Sequence, residues 1–188
     1  MAAHQVAARA QAQLKQTRIV SVGDREADLY ELFALAAEHR EADGPDILVR
    51  ASEDRCVAGE DGKHLCERVE VEPVAGYRVV IVPPRPGRRG RTAELSVRFC
   101  AVELRAPQGK RELGNIHLWA VHARERRAPT GVQPLEWMLL TNIEVTDFET
   151  ACEKIDWYVQ RWMIEVFHRT LKTGCRIEHR QLGTVRRL

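Results

Sequence analysis

The stretch Arg18-Ile19-Val20-Ser21-Val22-Gly23-Asp24 decides the predicted fold. Its short apolar run predicts a buried strand that ends at the carboxylate of Asp24. A helix is predicted directly after it, because the apolar residues recur with helical spacing and form one stripe. These residues are Leu29, Leu32, Phe33, Ala36 and Ala37. Gly44-Pro45 then breaks the chain, and Ile47-Leu48-Val49 begins a second buried strand. Strand, helix and strand in this order predict a parallel βαβ unit.

The sequence on either side of this unit has a different character. Residues 4–16 are alanine-rich and predict a short helix. Proline, glycine and β-forming runs dominate about residues 53–143, and four strands are predicted there: 77–82, 94–104, 116–123 and 137–141. Two arginine-rich loops, 84–91 and 124–127, connect them. These loops are either solvated hairpin tips or basic loops that face DNA phosphates. We expect a mostly antiparallel insertion.

The last predicted element is a long helix. Thr146-Asp147-Phe148-Glu149 fits a capping box with Thr146 as N-cap, and Gly174 is a plausible stop. One polar stripe of this helix, about 60° wide, contains Tyr158, Arg161, Glu165, Arg169 and Lys172. A separate apolar stripe, roughly 120° away, contains Trp157, Ile164, Phe167 and Leu171. We therefore expect the apolar stripe to pack into a core and the polar stripe to face outward.

The composition is that of a folded, soluble protein. Of 188 residues, 44% are hydrophobic and 30% charged, and 29 basic residues nearly balance 27 acidic ones. No apolar run approaches the roughly 20 residues that cross a bilayer, and the N-terminus lacks a signal-peptide core. Five scattered cysteines without a Cys-x-x-Cys pair indicate reduced thiols in the cytoplasm. Cys56, His64 and Cys66 lie close in sequence, but no fourth metal ligand has suitable spacing.

Each candidate site residue also has a purely structural interpretation. The polar stripe of the long helix could be a solvated face with ion pairs between Arg161, Glu165 and Arg169 at i, i+4. Asp24 could cap the helix that follows it, or it could occupy the carboxyl end of a strand, where sites lie in open α/β sheets. Trp137 could be a core tryptophan on a strand. The residues alone leave these alternatives open.

Two segments taken together match a known pattern. Residues 20–30, Val-Ser-Val-Gly-Asp-Arg-Glu-Ala-Asp-Leu-Tyr, contain a D-R-E-A-D stretch, and the long helix reads Y-x2-R-x3-E-x6-K from Tyr158 to Lys172. A third segment, Leu135-Glu136-Trp137-Met138-Leu139-Leu140-Thr141, lies at the matching distance before Tyr158. In these motifs the chain resembles DDE transposases of the IS-four insertion-sequence family. The resemblance covers about residues 18–180 and includes that family's YREK motif at every position and gap.

The resemblance implies a fold and a division of the chain. It implies an α/β fold with a partial ribonuclease-H-like core, formed by the βαβ unit and the long C-terminal helix, and a β-rich insertion. Residues 1–52 would hold the partial core, 53–143 the insertion subdomain and 144–188 the catalytic helix. The parent activity would be metal-dependent DNA cleavage and strand transfer at transposon ends, in the bacterial cytoplasm.

The resemblance also implies residue roles. Asp24 and Glu165 would be catalytic carboxylates and ligands of two Mg²⁺ or Mn²⁺ ions, the hard cations that carboxylates suit. Tyr158, Arg161 and Lys172 would contact phosphates of double-stranded DNA, with Arg169 on the same stripe. Trp137 would stack on a base flipped out of the duplex. The full-length parent would act as a dimer in a synaptic complex.

One expected carboxylate is missing from the sequence. The family uses three, and the first lies well upstream of the D-R-E-A-D stretch. Only 23 residues precede Asp24, and none of them is Asp or Glu. We therefore expect a chain that does not cut DNA by itself and whose first strand has an unpaired edge. Two alternatives remain: a non-catalytic DNA-binding or inhibitory transposase remnant, and an unrelated α/β domain with an ion-paired helix.

Overall fold

A single mixed sheet of six strands forms the centre of the molecule in a computed structural model, which describes residues 2–14, 16–40, 44–59, 64–84, 89–169 and 171. The strands are β1 (Val20–Gly23), β2 (Asp46–Arg50), β3 (Gly76–Val82), β4 (Arg91–Leu104), β5 (Ile116–Glu125) and β6 (Glu136–Thr141). The helices are α1 (Ala2–Gln13), α2 (Tyr30–Arg40), α3 (Leu65–Glu70) and α4 (Phe148–Arg169). Two 3-10 turns cover Arg25–Ala27 and Gln108–Leu113.

The strand order is β1-β2-β6-β5-β4-β3. Strands β1 and β2 are parallel, with Val22 opposite Leu48, and α2 connects them, so the predicted βαβ unit is confirmed. All other neighbouring strands are antiparallel, as expected for the stretch from residue 53 to residue 143. The four strands predicted there exist, and each differs from its predicted bounds by at most three residues. Strand β6 joins this antiparallel part to β2 within the same sheet.

Helices cover both faces of the sheet and make two apolar layers. On one face α2 and α3 pack on β2, β4 and β5 through side chains such as Phe33, Leu65 and Leu118. On the other face α4 packs across the strands through Ala151, Ile155 and Tyr158. The molecule is therefore an α/β protein with three layers. Among the described residues, no helix combines the length and apolarity that a bilayer crossing needs.

The stripe predicted for α2 is only partly correct. Leu32, Phe33 and Ala36 are buried as expected, but Leu29 is 43% exposed and Ala37 is exposed. The reason is the 3-10 turn at Arg25–Ala27, which delays the start of the helix to Tyr30. Leu29 therefore lies before α2 and does not follow the helical phase.

The cap and the buried face predicted for α4 are wrong. Asp147 caps the helix in place of Thr146, because its Oδ1 accepts the N–H of Thr150 at 2.7 Å while Thr150 Oγ1 accepts the N–H of Asp147 at 3.2 Å. Of the apolar stripe predicted to enter the core, Ile164 and Phe167 are 57% and 59% exposed, whereas Trp157 is partly buried and packs against the core layer beneath α4. The face on the sheet is the one that contains Tyr158, which is 1% exposed. Gly174, the predicted stop, lies outside the described residues.

Candidate nucleic-acid interface

Every strand of the sheet either begins or ends along one common edge. Strands β1 and β2 end there, at Gly23 and Arg50, as parallel neighbours do. The antiparallel strands alternate in direction, so β6 and β4 begin at this edge while β5 and β3 end there. Six strands at about 4.8 Å spacing give an edge of roughly 24 Å. The carboxyl ends of parallel strands are the usual site position in open α/β sheets.

A cleft of about 810 Å³ runs along this edge and is rich in arginine. The arginines that line it come from different elements: Arg25, Arg50, Arg89, Arg91, Arg124 and Arg161. We call this feature the arginine cleft. Among the residues that the structure describes, two carboxylates, Asp24 and Glu136, line this cleft. An excess of guanidinium groups in a concave site focuses a positive potential and favours a polyanionic ligand.

Asp24 lies at the β1 end of the arginine cleft, at the C-terminal end of its strand as predicted. Its Oδ1 accepts the N–H of Arg25 at 2.9 Å and the hydroxyl of Tyr158 at 3.0 Å. Its Oδ2 is 2.9 Å from the Arg161 guanidinium, and Arg50 NH1 is 3.8 Å from Oδ1. Asp24 therefore caps the 3-10 turn, which is the structural role considered for it in the sequence analysis. Through Tyr158 and Arg161 it also joins β1 to α4.

These partners control the charge of Asp24. Burial by itself would raise the pKa of the carboxyl, but the Arg25 N–H, the Arg161 guanidinium, the Tyr158 hydroxyl and Arg50 outweigh it and lower the pKa. Burial raises the pKa of Tyr158, so that side chain stays a protonated donor at neutral pH. The group at the end of β1 is therefore a carboxylate held by two guanidinium groups and a phenol, with a net charge near +1.

Arg50 is a site residue that the sequence analysis missed. It is the last residue of β2, next to β1 in the sheet, and its NH2 also donates to the carbonyl of Glu136 at 3.0 Å. Its side chain is 20% exposed. The available signal was its position: it is the first charged residue after the apolar run of the second parallel strand. A parallel neighbour must end at the same edge as β1, so Arg50 must lie near Asp24.

A buried ion pair fixes the loops that follow β1 and β2. The Asp28 carboxylate is fully buried and accepts the N–H groups of Ser52 and Glu53 at 2.7 and 3.0 Å. Its other oxygen accepts two donors of Arg55, at 2.9 and 2.6 Å. Asp28 is four residues after Asp24, and Ser52 is two residues after Arg50. The pair therefore holds the two loops at a fixed separation and with them the β1 end of the arginine cleft.

At the β3 end, Glu125 organises the arginine cleft. Its side chain is 1% exposed, it pairs with Arg91, and its Oε2 accepts the N–H of Leu135 at 2.9 Å. Arg124 beside it is more open, 54% exposed, with Glu70 and Glu136 no nearer than 3.7 and 3.9 Å. The basic loops predicted from sequence thus contribute Arg89, next to Arg91 at the start of β4, and Arg124 to the cleft wall.

Trp137 lies in the floor of the arginine cleft and belongs to the core. It is 2% exposed and packs edge-on against Tyr158, with ring centroids 5.2 Å apart and an interplanar angle of 66°. This is the structural alternative considered for Trp137. A base could stack on the indole only after the side chain or its neighbours moved.

The structure brings together only part of the predicted site. Asp24, Tyr158 and Arg161 meet, and Trp137 touches Tyr158. Glu165 and Arg169 belong to α4, one and two turns after Arg161, but their side chains lie outside what the structure describes. Lys172 lies outside the described residues. Within the described part of the chain, no group of three His, Cys, Asp or Glu side chains could hold a metal ion. No protein-family model matches this sequence.

Proposed function

We propose that this chain is a transposase segment with a partial ribonuclease-H-like core, and that it binds DNA in the arginine cleft without cutting it. One observation supports this most directly: in the described part of the chain, six arginines on or beside β1, β2, β4, β5 and α4 line one cleft along a single sheet edge. An edge of about 24 Å matches about seven steps of one DNA strand at roughly 3.4 Å each. Guanidinium groups distributed along an edge of this length can pair with several phosphates of one strand.

The metal ions implied by the resemblance do not fit the described residues as they stand. A two-metal site needs several carboxylates around ions about 3.5–4 Å apart. Here Asp24 has both oxygens engaged by Tyr158 and Arg161, and Arg50 adds a second positive charge. A cation would meet repulsion there. In this proposal a Mg²⁺ or Mn²⁺ pair forms only when further carboxylates, Glu165 among them, join Asp24.

The same geometry supports the non-catalytic alternative, an inhibitory transposase remnant. A protein that holds transposon ends in the arginine cleft without cleaving them would compete with an active transposase for double-stranded DNA. The arginine pairing of Asp24 favours this form of the proposal, because the carboxylate is engaged in the fold.

The test of DNA binding is fluorescence anisotropy with a labelled duplex over a range of salt concentrations. We expect Arg124→Ala and Arg161→Ala to weaken binding and to flatten the slope of log K against log salt by about 1 each. Arg111→Ala is the matched control, because Arg111 lies in the 3-10 turn between β4 and β5, at the opposite sheet edge. Salt-independent binding, or equal losses for Arg111→Ala and Arg124→Ala, would refute the proposed interface.

A second assay tests the absence of cleavage. Supercoiled plasmid is incubated with the protein and Mg²⁺ or Mn²⁺, and nicked circles are measured on a gel. We expect no nicking above the level of Asp24→Asn. Metal-dependent nicking that Asp24→Asn abolishes would show a complete metal site and overturn this part of the proposal.

A further inference from the structure

The outer strand β3 has an unusual surface. It is the last strand of the sheet in the described structure, so one row of its backbone N–H and C=O groups has no strand partner. Three large apolar side chains point to the same open face: Tyr77 is 51%, Val79 60% and Ile81 74% exposed. The residues between them face α4, and Val80 is buried. We call Tyr77, Val79, Ile81 and the backbone beside them the β3 edge.

The β3 edge lacks the usual protection against strand pairing. Natural edge strands carry lysine, proline, a bulge or an unpaired inward charge. Strand β3 contains neither lysine nor proline, and it pairs with β4 in a continuous register from Gly76 to Val82. Its one charge, Arg78, is neutralised by Asp156 at 2.6 Å. Arg126, which lies over the Tyr77 ring, is likewise paired with Glu94 at 2.8 Å.

The exposed apolar side chains of the β3 edge alternate regularly with Val79 at their centre, so the edge is complementary to a second copy of itself. We propose that a second copy of this chain pairs with it antiparallel, around a two-fold axis at Val79. Val79 then faces Val79 of the second copy, and Tyr77 faces Ile81. Opposed residues in an antiparallel pair lie on the same face, so the three apolar side chains of both copies join in one patch. Because charges near the edge are paired within each copy, no like charges meet across the axis.

The area of the β3 edge limits how tightly it binds. Three partly exposed side chains offer about 300 Å² of apolar surface per copy, well below the roughly 800 Å² per partner of a standard interface. The backbone ladder adds hydrogen bonds whose net contribution is modest. We therefore infer a reversible dimer that forms at high protein concentration and without DNA. This dimer does not depend on the function proposed above.

Disulfide trapping tests the register of the dimer. The full chain is used with Cys56, Cys66 and Cys175 replaced by serine. Directly opposed residues have Cα atoms about 4.5–5.5 Å apart, within disulfide range, whereas Tyr77 and its own copy are about 13 Å apart. We expect Val79→Cys to cross-link with itself under mild oxidation. Tyr77→Cys and Ile81→Cys should each remain monomeric alone and should cross-link when mixed.

Two outcomes would contradict the proposal, one concerning the register and one concerning the dimer itself. If Tyr77→Cys cross-links alone as well as in the mixture, the contact is random collision. If the wild-type chain stays monomeric at every concentration in sedimentation equilibrium, the dimer itself is refuted.

A charge variant tests whether dimerisation depends on the β3 edge or on exposed apolar surface in general. Val79→Lys places two ammonium groups at the axis, and we expect the dimer Kd to rise at least about tenfold. Val71→Lys is the matched control, since Val71 is an equally exposed valine, at 67%, in the turn after α3. Its Kd should stay within about twofold of wild type. Both sites are exposed, so we expect both variants to fold, and circular dichroism is the check. Equal changes for the two variants would contradict the proposal.

Discussion

Asp24 contributes both to the stability of the chain and to its proposed function. Its carboxylate holds α4 to the end of β1 through Tyr158 and Arg161. The lowered pKa means that these partners stabilise the ionised form in the folded state more than water does in the unfolded state. A carboxyl with a depressed folded pKa stabilises the fold above its ordinary pKa and loses that contribution as the pH falls through the lowered value.

This gives a pH-dependent prediction for Asp24→Asn. We expect the variant to be less stable than wild type by a constant amount above about pH 5, and the difference to shrink as the pH falls below about 4. The side chain is 35% exposed, so solvent weakens the effect and we expect a small difference. Urea unfolding of both proteins from pH 7 to pH 3 measures it. A difference that grows on acidification would contradict the assigned pKa direction.

Trp137 and Tyr158 give a second prediction at this scale. Trp137→Ala should cost about 3–5 kcal/mol of unfolding free energy, because it removes a fully buried indole from the second core layer. Tyr158→Phe keeps the ring and removes one hydrogen bond to Asp24, so it should cost about 1 kcal/mol. Urea denaturation distinguishes the two. If Trp137→Ala were nearly neutral for stability and strongly reduced DNA binding, the indole would be a ligand contact and not a core residue.

At the scale of single residues, the sequence located Asp24 at the end of its strand but could not reveal its partners. Arg50 is 26 positions away in the chain and becomes a neighbour only when β1 and β2 pair in parallel. The motif placed Tyr158 and Arg161 together, yet both were expected to face DNA. The structure directs them at Asp24, because their stripe lies on the sheet in the first half of α4.

At the scale of elements, the sequence pattern predicted the six strands and helices α1, α2 and α4, but it missed α3 and failed on the orientation of α4. The predicted apolar stripe was Trp157, Ile164, Phe167 and Leu171, and of these Ile164 and Phe167 lie in the second half of the helix and are exposed. The sheet contacts come from the first half, where Ala151 and Ile155 share a face with Tyr158. The two halves have different apolar phases, and only the tertiary contacts decide which one is buried.

This orientation predicts unequal effects on stability for two isoleucines of α4. Ile155 is fully buried and Ile164 is 57% exposed. Ile155→Ala should cost about 2–5 kcal/mol of unfolding free energy, whereas Ile164→Ala should change it by less than about 0.5 kcal/mol. Chemical denaturation of the two variants, with equal m-values as a check on the unfolded state, compares them directly. Equal losses would mean that the second half of α4 is packed in solution.

At the scale of the whole molecule, the arginine cleft is a product of topology. Arg25 follows the strand at one side of the sheet, and Arg89 precedes β4, next to the strand at the other side. The sequence showed two basic loops and a near-neutral total charge of +2. It could not show that alternating strand directions bring their ends to one edge. That arrangement depends on contacts between residues far apart in the chain.

The proposal that this edge is one continuous interface predicts additivity between its two ends. Arg25 and Arg89 are both exposed and lie beside strands β1 and β4, which are four strand spacings apart, so neither substitution should disturb the other or the fold. If a single DNA segment spans the arginine cleft, Arg25→Ala and Arg89→Ala should each reduce the salt slope by about 1, and the double variant by about 2. A duplex too short to reach both ends should lose sensitivity to one of the two substitutions. Anisotropy titrations with a long and a short duplex provide the comparison. If the double variant loses no more than one single variant on the long duplex, DNA contacts only one end, and the cleft does not act as a unit.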